Sequence, residues 1–179
     1  MNLSDHELLI FDGAMGTNLQ ALDLPDSVWQ GNDGCNEFLN LTCPEAITEL
    51  HGRFLDAGAM VLETNTFGAT RTVLAEYGLE DDVDRINHAA VANAKNAIGS
   101  RENCYVAGSV GPTTKLVSLG HITVDELGKA LKEQMVALVN AGVDALIIET
   151  CQDLLQVKTA VVACFEVLAE KGKQLPVMV

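Results

Sequence analysis

Short apolar runs alternate along this chain with longer segments in which apolar residues recur every three or four positions. The runs are LLIF at 8–11, AMVL at 59–62, CYVAGSV at 104–110, DALII at 144–148 and LPVMV at 175–179. Nearly unbroken apolar runs of this length are typical of strands that are buried on both faces. The alternation therefore predicts an α/β fold with a parallel sheet, in which right-handed helical crossovers connect the strands.

Four of the segments between the runs have the periodicity of helices. The first carries apolar residues from Ala46 to Leu55 and has Pro44 in its first turn, and the others are expected over 84–98, 124–140 and 154–171. Five strands and four helices amount to about the first half of a parallel (β/α)8 TIM-type barrel, for which roughly 250 residues are typical. We therefore expect residues 1–179 to be the amino-terminal part of a single barrel domain that stops at its fifth strand.

A weak internal repeat supports this order of elements. In both copies a helix ends in Ala-Gly, at 57–58 and 141–142, and the apolar run that follows leads to Glu-Thr, at 63–64 and 149–150. Glycine suits the left-handed turn that closes a helix. The repeat predicts that two helices end at these glycines and that a polar pair follows each strand.

The formal net charge of −14 excludes several classes of partner. A chain with this charge is repelled by the phosphate backbone of nucleic acids and by anionic membranes. No apolar run reaches the roughly 18 residues of a membrane span, and the amino terminus carries acids where a signal peptide carries lysines. We therefore expect a cytoplasmic protein without a nucleic-acid or membrane partner.

The cysteines and histidines do not indicate a metal site made from this chain alone. The five cysteines have no C-x-x-C spacing, and none has a histidine at ligand spacing; they are Cys35, Cys43, Cys104, Cys151 and Cys164. Free cysteine is among the most buried residue types, so we interpret these thiols as reduced core residues. Cys151 follows Glu149 closely and is a weaker candidate for a nucleophile, since no histidine is near it in sequence.

Polar residues gather where the predicted strands end, which is where parallel α/β folds bind ligands. Asp12 follows the first run and either anchors a cationic group or caps a turn. Glu149 ends the fourth run, and its partner is either a ligand's ammonium group or a lysine or arginine of the protein. The polar residues at 64–66 either line a pocket or stabilise a turn. Two such carboxylates are also the pair that glycoside hydrolysis uses.

Four ordered segments of the chain resemble the homocysteine S-methyltransferase family. They are LLIFDGAMGTNLQ, GCNEFLNLTCPEAITELHGRFLDAGAMVLETNTFGATR, YVAGSVGPTTK and AGVDALIIETCQDLLQVKTAV. The ETNTFGATR, GSVGPT and IIET segments are most similar to the amino-terminal homocysteine-binding module of cobalamin-dependent methionine synthases. The resemblance covers essentially the whole chain and implies a barrel of which this sequence is the first half.

The resemblance implies that homocysteine is the substrate and that its thiol is methylated to give methionine. In the family, the aspartate after the first strand and the glutamate after the fourth hold the amino group of homocysteine. These positions are Asp12 and Glu149 in this sequence. Backbone near Gly13 and the side chains of Asn65 and Thr66 are expected to help bind the amino acid.

The resemblance also implies cofactors of the parent enzyme. In the family three cysteine thiolates hold zinc, which keeps the homocysteine thiol deprotonated, and the thiolate is the nucleophile. In methionine synthases the methyl group comes from methylcobalamin, which is recharged from methyltetrahydrofolate on other modules. The zinc ligands follow the sixth and eighth strands, and none of the five cysteines occupies such a position. We therefore expect no catalytic residue and no metal ligand in 1–179, and no activity of this chain alone.

Three alternatives remain. The first is a family member that takes its methyl group from S-methylmethionine or betaine, and the second is a half barrel that binds without catalysis. The third is a different barrel enzyme that uses Asp12 and Glu149 as paired carboxylates. In each case the open edges of a half barrel favour self-association through the runs at 8–11 or 175–179, because unpaired strand edges recruit partners.

Overall fold

The computed structural model describes residues 3–179, with the side chain of Ser4 left aside, and in that part of the chain four parallel strands form one sheet. They are β1 (Val61–Glu63), β2 (Tyr105–Val110), β3 (Ala145–Ile148) and β4 (Val177–Met178), and they follow one another across the sheet in chain order. Each strand pairs in parallel with the next one along the chain. This arrangement confirms the predicted α/β fold with a parallel sheet.

The first apolar run does not form a regular strand, so the expectation of five strands is wrong by one. Phe11 alone makes a bridge, to Val61, and the Asp12 amide then donates to the Val61 carbonyl at 2.9 Å. The amides of Met60 and Val61 both donate to the carbonyl of Ile10, at 2.7 and 3.1 Å. Because two neighbouring donors share one acceptor, the ladder does not continue. The run at 8–11 still lies beside β1, in the place of a first strand.

Eight α-helices are assigned in the described residues. They are α1 (Met15–Gln20), α2 (Asp26–Trp29), α3 (Leu39–Thr42), α4 (Pro44–Asp56), α5 (Arg71–Leu74), α6 (Val83–Ile98), α7 (Val124–Ala141) and α8 (Leu154–Glu170). The four long helices are the predicted ones, with ends that differ by a residue. The four short helices contain only four to six residues each, which are too few to show a helical period. No helix in this part of the chain is long and apolar enough to cross a membrane.

Local signals in the sequence account for the ends of the long helices. Pro44 occupies the first turn of α4, where its missing N–H costs nothing. Thr123 and Glu126 form a reciprocal capping box at the start of α7. Gly58 and Gly142, which follow α4 and α7, have φ angles of 104° and 85°. Both glycines therefore adopt the left-handed backbone that the Ala-Gly repeat predicted.

Alternate side chains of the strands enter two different apolar clusters. Leu62, Val106 and Leu146 pack in one cluster with residues of α6, α7 and α8. The residues between them point to the opposite face of the sheet, where a second cluster contains Val61, Tyr105, Ala107 and Ala145. The strands are therefore buried on both faces, as their composition predicted. The same alternation places Glu63, Ser109 and Glu149 on this second face, at the carboxyl ends of the strands. These residues line the site described next.

Candidate ligand-binding site

An acidic cavity of about 360 Å³ opens at the carboxyl ends of the strands. Its wall is formed by the segment after Phe11, a segment around Asn36, and the ends of β1, β2 and β3. Four carboxylates line it, those of Asp12, Glu37, Glu63 and Glu149. A larger groove of about 500 Å³ lies between α7 and α8, but no strand end reaches it. Ligands of parallel α/β folds bind at the carboxyl ends of strands, so the acidic cavity is the candidate site.

Asp12 is fixed by two elements of the fold. Its side chain is 1% exposed, and Oδ1 accepts a hydrogen bond of 3.0 Å from the backbone N–H of Glu63. Oδ2 lies 3.6 Å from Nδ1 of His51, a fully buried residue on the inner face of α4. Neither ring nitrogen of His51 has a hydrogen-bond partner within the described residues. Asp12 thus ties the first apolar run to β1 and α4 while it lines the cavity.

Glu149 is oriented by neutral hydroxyl groups. The Ser109 hydroxyl donates to Oε1 at 2.6 Å, and the Thr150 hydroxyl donates to Oε2 at 3.3 Å. Among residues 3–179 no lysine or arginine forms an ion pair with this carboxylate. The alternative of a structural salt bridge therefore has no partner in this region.

The backbone turns sharply behind Glu149. Thr150 has a φ of 59°, in the left-handed region that residues other than glycine seldom occupy. The sharp turn carries the chain away from the sheet at the point where Glu149 faces the cavity. Such strain costs about 1–3 kcal/mol and is often found at functional sites.

Glu63 is the main residue that sequence reasoning missed. It ends β1, is half-buried, and lines the cavity with Asp12 and Glu149. Burial raises the pKa of the Glu63 carboxyl to about 7, and the charges of Glu149 and Asp12 add to the rise. The internal repeat contained the signal, because it pairs Glu63 with Glu149. The structure shows that both members of this pair reach the same cavity.

Asn65 and Thr66, the two polar residues that follow Thr64, lie in different places relative to the cavity. Asn65 lines the cavity, and its amide donates to the carbonyl of Asn36 at 2.8 Å. Thr66 is fully buried behind the wall, where its hydroxyl donates to the Ser109 carbonyl at 2.7 Å. Asp12, Gly13, Asn65 and Glu149 are therefore brought together around one cavity. Thr66 instead holds the turn after β1 against β2.

Glu37 is a second carboxylate that the sequence did not indicate. It lies in a 3₁₀ turn (Asn36–Phe38), and its Oε1 accepts a hydrogen bond of 2.7 Å from the amide of Gly68. Burial raises the pKa of this carboxyl. Glu37 lies within a segment that resembles the family, but no role was assigned to it, because it belongs to a connection that shows no periodicity.

The charges of the cavity wall are all of one sign. No lysine, arginine or histidine is found among the described residues that line it, and His51 lies behind Asp12 rather than in the wall. A cleft lined by one sign of charge concentrates ligands of the opposite sign. Buried carboxylates also require a partner, since desolvating them is costly. The arrangement is suited to binding a small cation such as an ammonium group.

The described residues offer no donor set for a metal. No group of three histidine, cysteine, aspartate or glutamate side chains in 3–179 is placed to hold one. The Cys151 thiol donates to the Glu149 carbonyl at 3.3 Å, and burial, together with the charge of Glu149, raises its pKa. The reactive thiolate is thereby disfavoured, so a nucleophilic role for Cys151 loses support.

Replacing Glu63 with glutamine is expected to stabilise the fold at pH 8 and to have little effect at pH 5. A carboxyl whose pKa is higher in the folded state than in the unfolded state loses stability as the pH rises from about 4.5 to about 7. Glutamine cannot ionise, so the Glu63→Gln variant escapes this loss. Allowing for solvent screening at a half-buried site, we expect a gain of about 1–2 kcal/mol.

Urea denaturation of both proteins at the two pH values measures this difference. Glu45→Gln is the matched control, because Glu45 is exposed on α4 and does not line the cavity. An equal gain at both pH values would show that ionisation of Glu63 is not the cause.

Known proteins resemble this chain in sequence and in fold. The homocysteine S-methyltransferase family profile matches residues 9–179. The methionine synthase of Mycobacterium tuberculosis is 38% identical over 181 residues, which cover 99% of this chain and 15% of the relative. The methionine synthase of Mycobacterium leprae is 37% identical over 176 residues, which cover 96% and 15%. The chain therefore spans about 15% of the length of these relatives.

A solved structure has the same arrangement of strands and helices. The homocysteine methyltransferase MmuM from Escherichia coli, in its metallated form, superimposes with a TM-score of 0.74 at 27% identity. The match covers 98% of this chain and 63% of that chain. The fold of residues 3–179 is accordingly that of part of a TIM-type barrel, as the order of elements predicted.

Proposed function

Because the chain belongs to the homocysteine S-methyltransferase family, we propose that its acidic cavity binds homocysteine for methylation of the thiol to methionine. The observation that carries the proposal is the cavity wall, in which Asp12 follows the first apolar run, Glu149 follows β3, and no described residue supplies a positive charge. The amino group of homocysteine supplies the missing cation. Hydrogen bonds between ionised partners are about twice as strong as neutral ones.

The residues around the two carboxylates hold them in place before the ligand arrives. The Glu63 amide fixes one oxygen of Asp12, and the Ser109 hydroxyl fixes one oxygen of Glu149. Rigid, pre-oriented groups bind more tightly because less entropy is lost on binding. We assign contacts with the rest of the amino acid to Gly13 and Asn65, which line the same cavity. Thr66 supports them from behind the wall.

The remaining chemistry of the proposal belongs to the parent enzyme. The curated relatives are methionine synthases, which favours methylcobalamin and methyltetrahydrofolate on other modules over S-methylmethionine or betaine as the source of the methyl group. Zinc would activate the homocysteine thiol there. The described part of this chain does not fit a zinc site, so we assign none of its cysteines to the metal. We take residues 1–179 as the first part of one barrel domain, which is inactive alone.

Two further proposals concern the setting of the protein. We place it in the cytoplasm, since its five cysteines are all unpaired, as is usual in a reducing compartment. We also propose contacts with the other modules of the parent enzyme, in keeping with the small share of the relatives that this chain spans.

Self-association of the 179-residue chain is expected as its concentration rises. Leu8 and Val179 are each 72% exposed and Ile10 is 49% exposed. Leu8 and Ile10 lie beside β1, at one outer edge of the sheet, and Val179 follows β4, at the other edge. The outer edge of β4 pairs with no other strand in the described residues. Sedimentation velocity over a range of concentrations measures the association. A compact monomer at the highest concentration would contradict this prediction.

The proposal is tested by isothermal titration calorimetry of the chain with L-homocysteine and with 4-sulfanylbutanoate, which lacks the amino group. We expect heat of binding from homocysteine and none from the analogue, because the carboxylates recognise the ammonium group. Equal affinity for the two compounds would show that the protein does not recognise the amino group of homocysteine. Absence of binding by homocysteine would remove the proposed function from this chain.

A further inference from the structure

Glu63 is an acidic residue of the cavity to which the family resemblance assigns no role. It ends β1, and its side chain has the same direction as those of Ser109 on β2 and Glu149 after β3. In the described residues its carboxylate has no ion-pair partner and accepts no hydrogen bond. Its backbone amide, in contrast, is bound to Asp12. A half-buried carboxylate without a partner, facing a cavity, is placed to bind a ligand.

The groups around Glu63 are almost all acidic. Asp12 approaches from the segment before α1, Glu149 from the end of β3, and Glu37 from the 3₁₀ turn. The one histidine nearby, His51 on α4, is 3.6 Å from Asp12 and is shielded from the cavity by it. Like charges in one site disfavour ionisation of all members together, so one of them retains a proton. Burial and the two neighbouring charges raise the pKa of Glu63 to about 7, and burial also raises the pKa of Glu37. Glu37 accepts a hydrogen bond from the Gly68 amide, whereas the Glu63 carboxylate accepts none within the described residues, so Glu63 is the protonated group that is placed to receive a ligand.

We propose that Glu63 is the third carboxylate that binds the substrate's ammonium group, and that Glu63 releases a proton to solvent when that group enters the cavity. The inference rests on the proposed function. An ammonium group has three N–H donors, and the cavity is lined by three carboxylates at neighbouring places in the fold, those of Asp12, Glu63 and Glu149. The O–H bond of the Glu63 carboxylic acid breaks, its electron pair stays on the carboxylate, and a buffer base takes the proton.

The exchange makes affinity dependent on pH in a defined direction. Below pH 7 the proton and the ammonium group compete for Glu63, and above pH 7 the carboxylate is already free. The affinity of the wild-type chain is therefore expected to rise about tenfold from pH 6 to pH 8 and to level off above that. In Glu63→Gln the competition is absent. The affinity of this variant is expected to be lower and nearly constant over the same range.

Calorimetry in two buffers of different ionisation enthalpy, phosphate and Tris, measures the protons released on binding. L-Methionine, the product, is titrated beside L-homocysteine because it has the same ammonium group and no thiol proton. At pH 7 we expect about half a proton to be released per molecule bound by the wild-type chain, and none by Glu63→Gln. Glu45→Gln, changed at an exposed carboxylate outside the cavity, is expected to match the wild type.

The outcomes separate this inference from the proposed function. Binding of homocysteine without proton release, or with the same pH dependence in Glu63→Gln as in the wild type, would overturn the role of Glu63 and leave the proposed function intact. Absence of homocysteine binding in every variant would overturn both. A gap in affinity between wild type and Glu63→Gln that narrows about tenfold from pH 8 to pH 6 would establish the exchange.

Discussion

Replacing Asp12 with asparagine, or Glu149 with glutamine, is expected to weaken homocysteine binding by about 10- to 100-fold at pH 8. Each change removes a negative charge and keeps the shape of the side chain. Hydrogen bonds to charged groups contribute about 1.5–3 kcal/mol, and each 1.4 kcal/mol changes affinity tenfold. The measurement is the dissociation constant from calorimetric titration. A value unchanged within twofold in both variants would exclude the carboxylates from the binding site.

The two variants differ in what else they disturb. Asp12 is 1% exposed and binds the Glu63 amide, whereas Glu149 is half-buried and bound mainly by the Ser109 hydroxyl. Asp12→Asn is therefore expected to lower stability as well as affinity. Ser109→Ala is a useful comparison, because it frees the Glu149 carboxylate without removing its charge. We expect it to weaken binding less than Glu149→Gln does.

Replacing Gly111 with alanine is expected to destabilise the protein by about 1–3 kcal/mol and to distort the cavity. A methyl group at this position would lie 2.6 Å from the carbonyl oxygen of Phe67 and 2.7 Å from its ring. The Gly111 amide donates to that same carbonyl at 3.1 Å, so the chain after β2 is in direct contact with the turn after β1. The added carbon forces the two segments apart, and Asn65 lies on the displaced turn.

Gly52→Ala is the matched control for this prediction. Gly52 lies within α4, and a methyl group there would meet no atom within 4 Å. Alanine in a helix interior is more favourable than glycine by about 0.5–1 kcal/mol, so this variant is expected to gain stability. Urea denaturation of both variants measures the free energies of unfolding. Equal stability of Gly111→Ala and the wild type would show that the two turns are free to separate.

The sequence predicted the strands and the long helices, because their buried residues form apolar runs or recur at the helical period. The runs around β1–β4 are apolar because both faces of the sheet are covered, and the long helices show the period of their buried stripe. The run at 8–11 was assigned as a strand on the same grounds. An apolar composition indicates that a segment is buried, but it does not determine how the backbone pairs with its neighbour. Here the backbone at 8–11 forms a single bridge to the sheet, at Phe11.

Of the four carboxylates that line the cavity, the sequence indicated only those that directly follow an apolar run and match a family position. Asp12 and Glu149 satisfy both conditions. Glu63 satisfies the first and was noted in the repeat, but its pKa is raised by burial and by the charges of Glu149 and Asp12, which are far from it in sequence. Glu37 satisfies neither condition. Its place in the cavity depends on the path of the chain between α2 and α3, and no local pattern encodes that path.

The single bridge at Phe11 makes one wall of the cavity easier to open than the others. The Asp12 amide completes that bridge, and beyond it the Glu63 N–H is bound by the Asp12 side chain and not by a backbone carbonyl. Segments with few backbone contacts open locally at low free energy, and amide hydrogen exchange detects the opening. The exchange rate of the Glu63 amide thus monitors this wall. An occupied site, by holding the Asp12 carboxylate in place, slows exchange at an amide that need not touch the ligand.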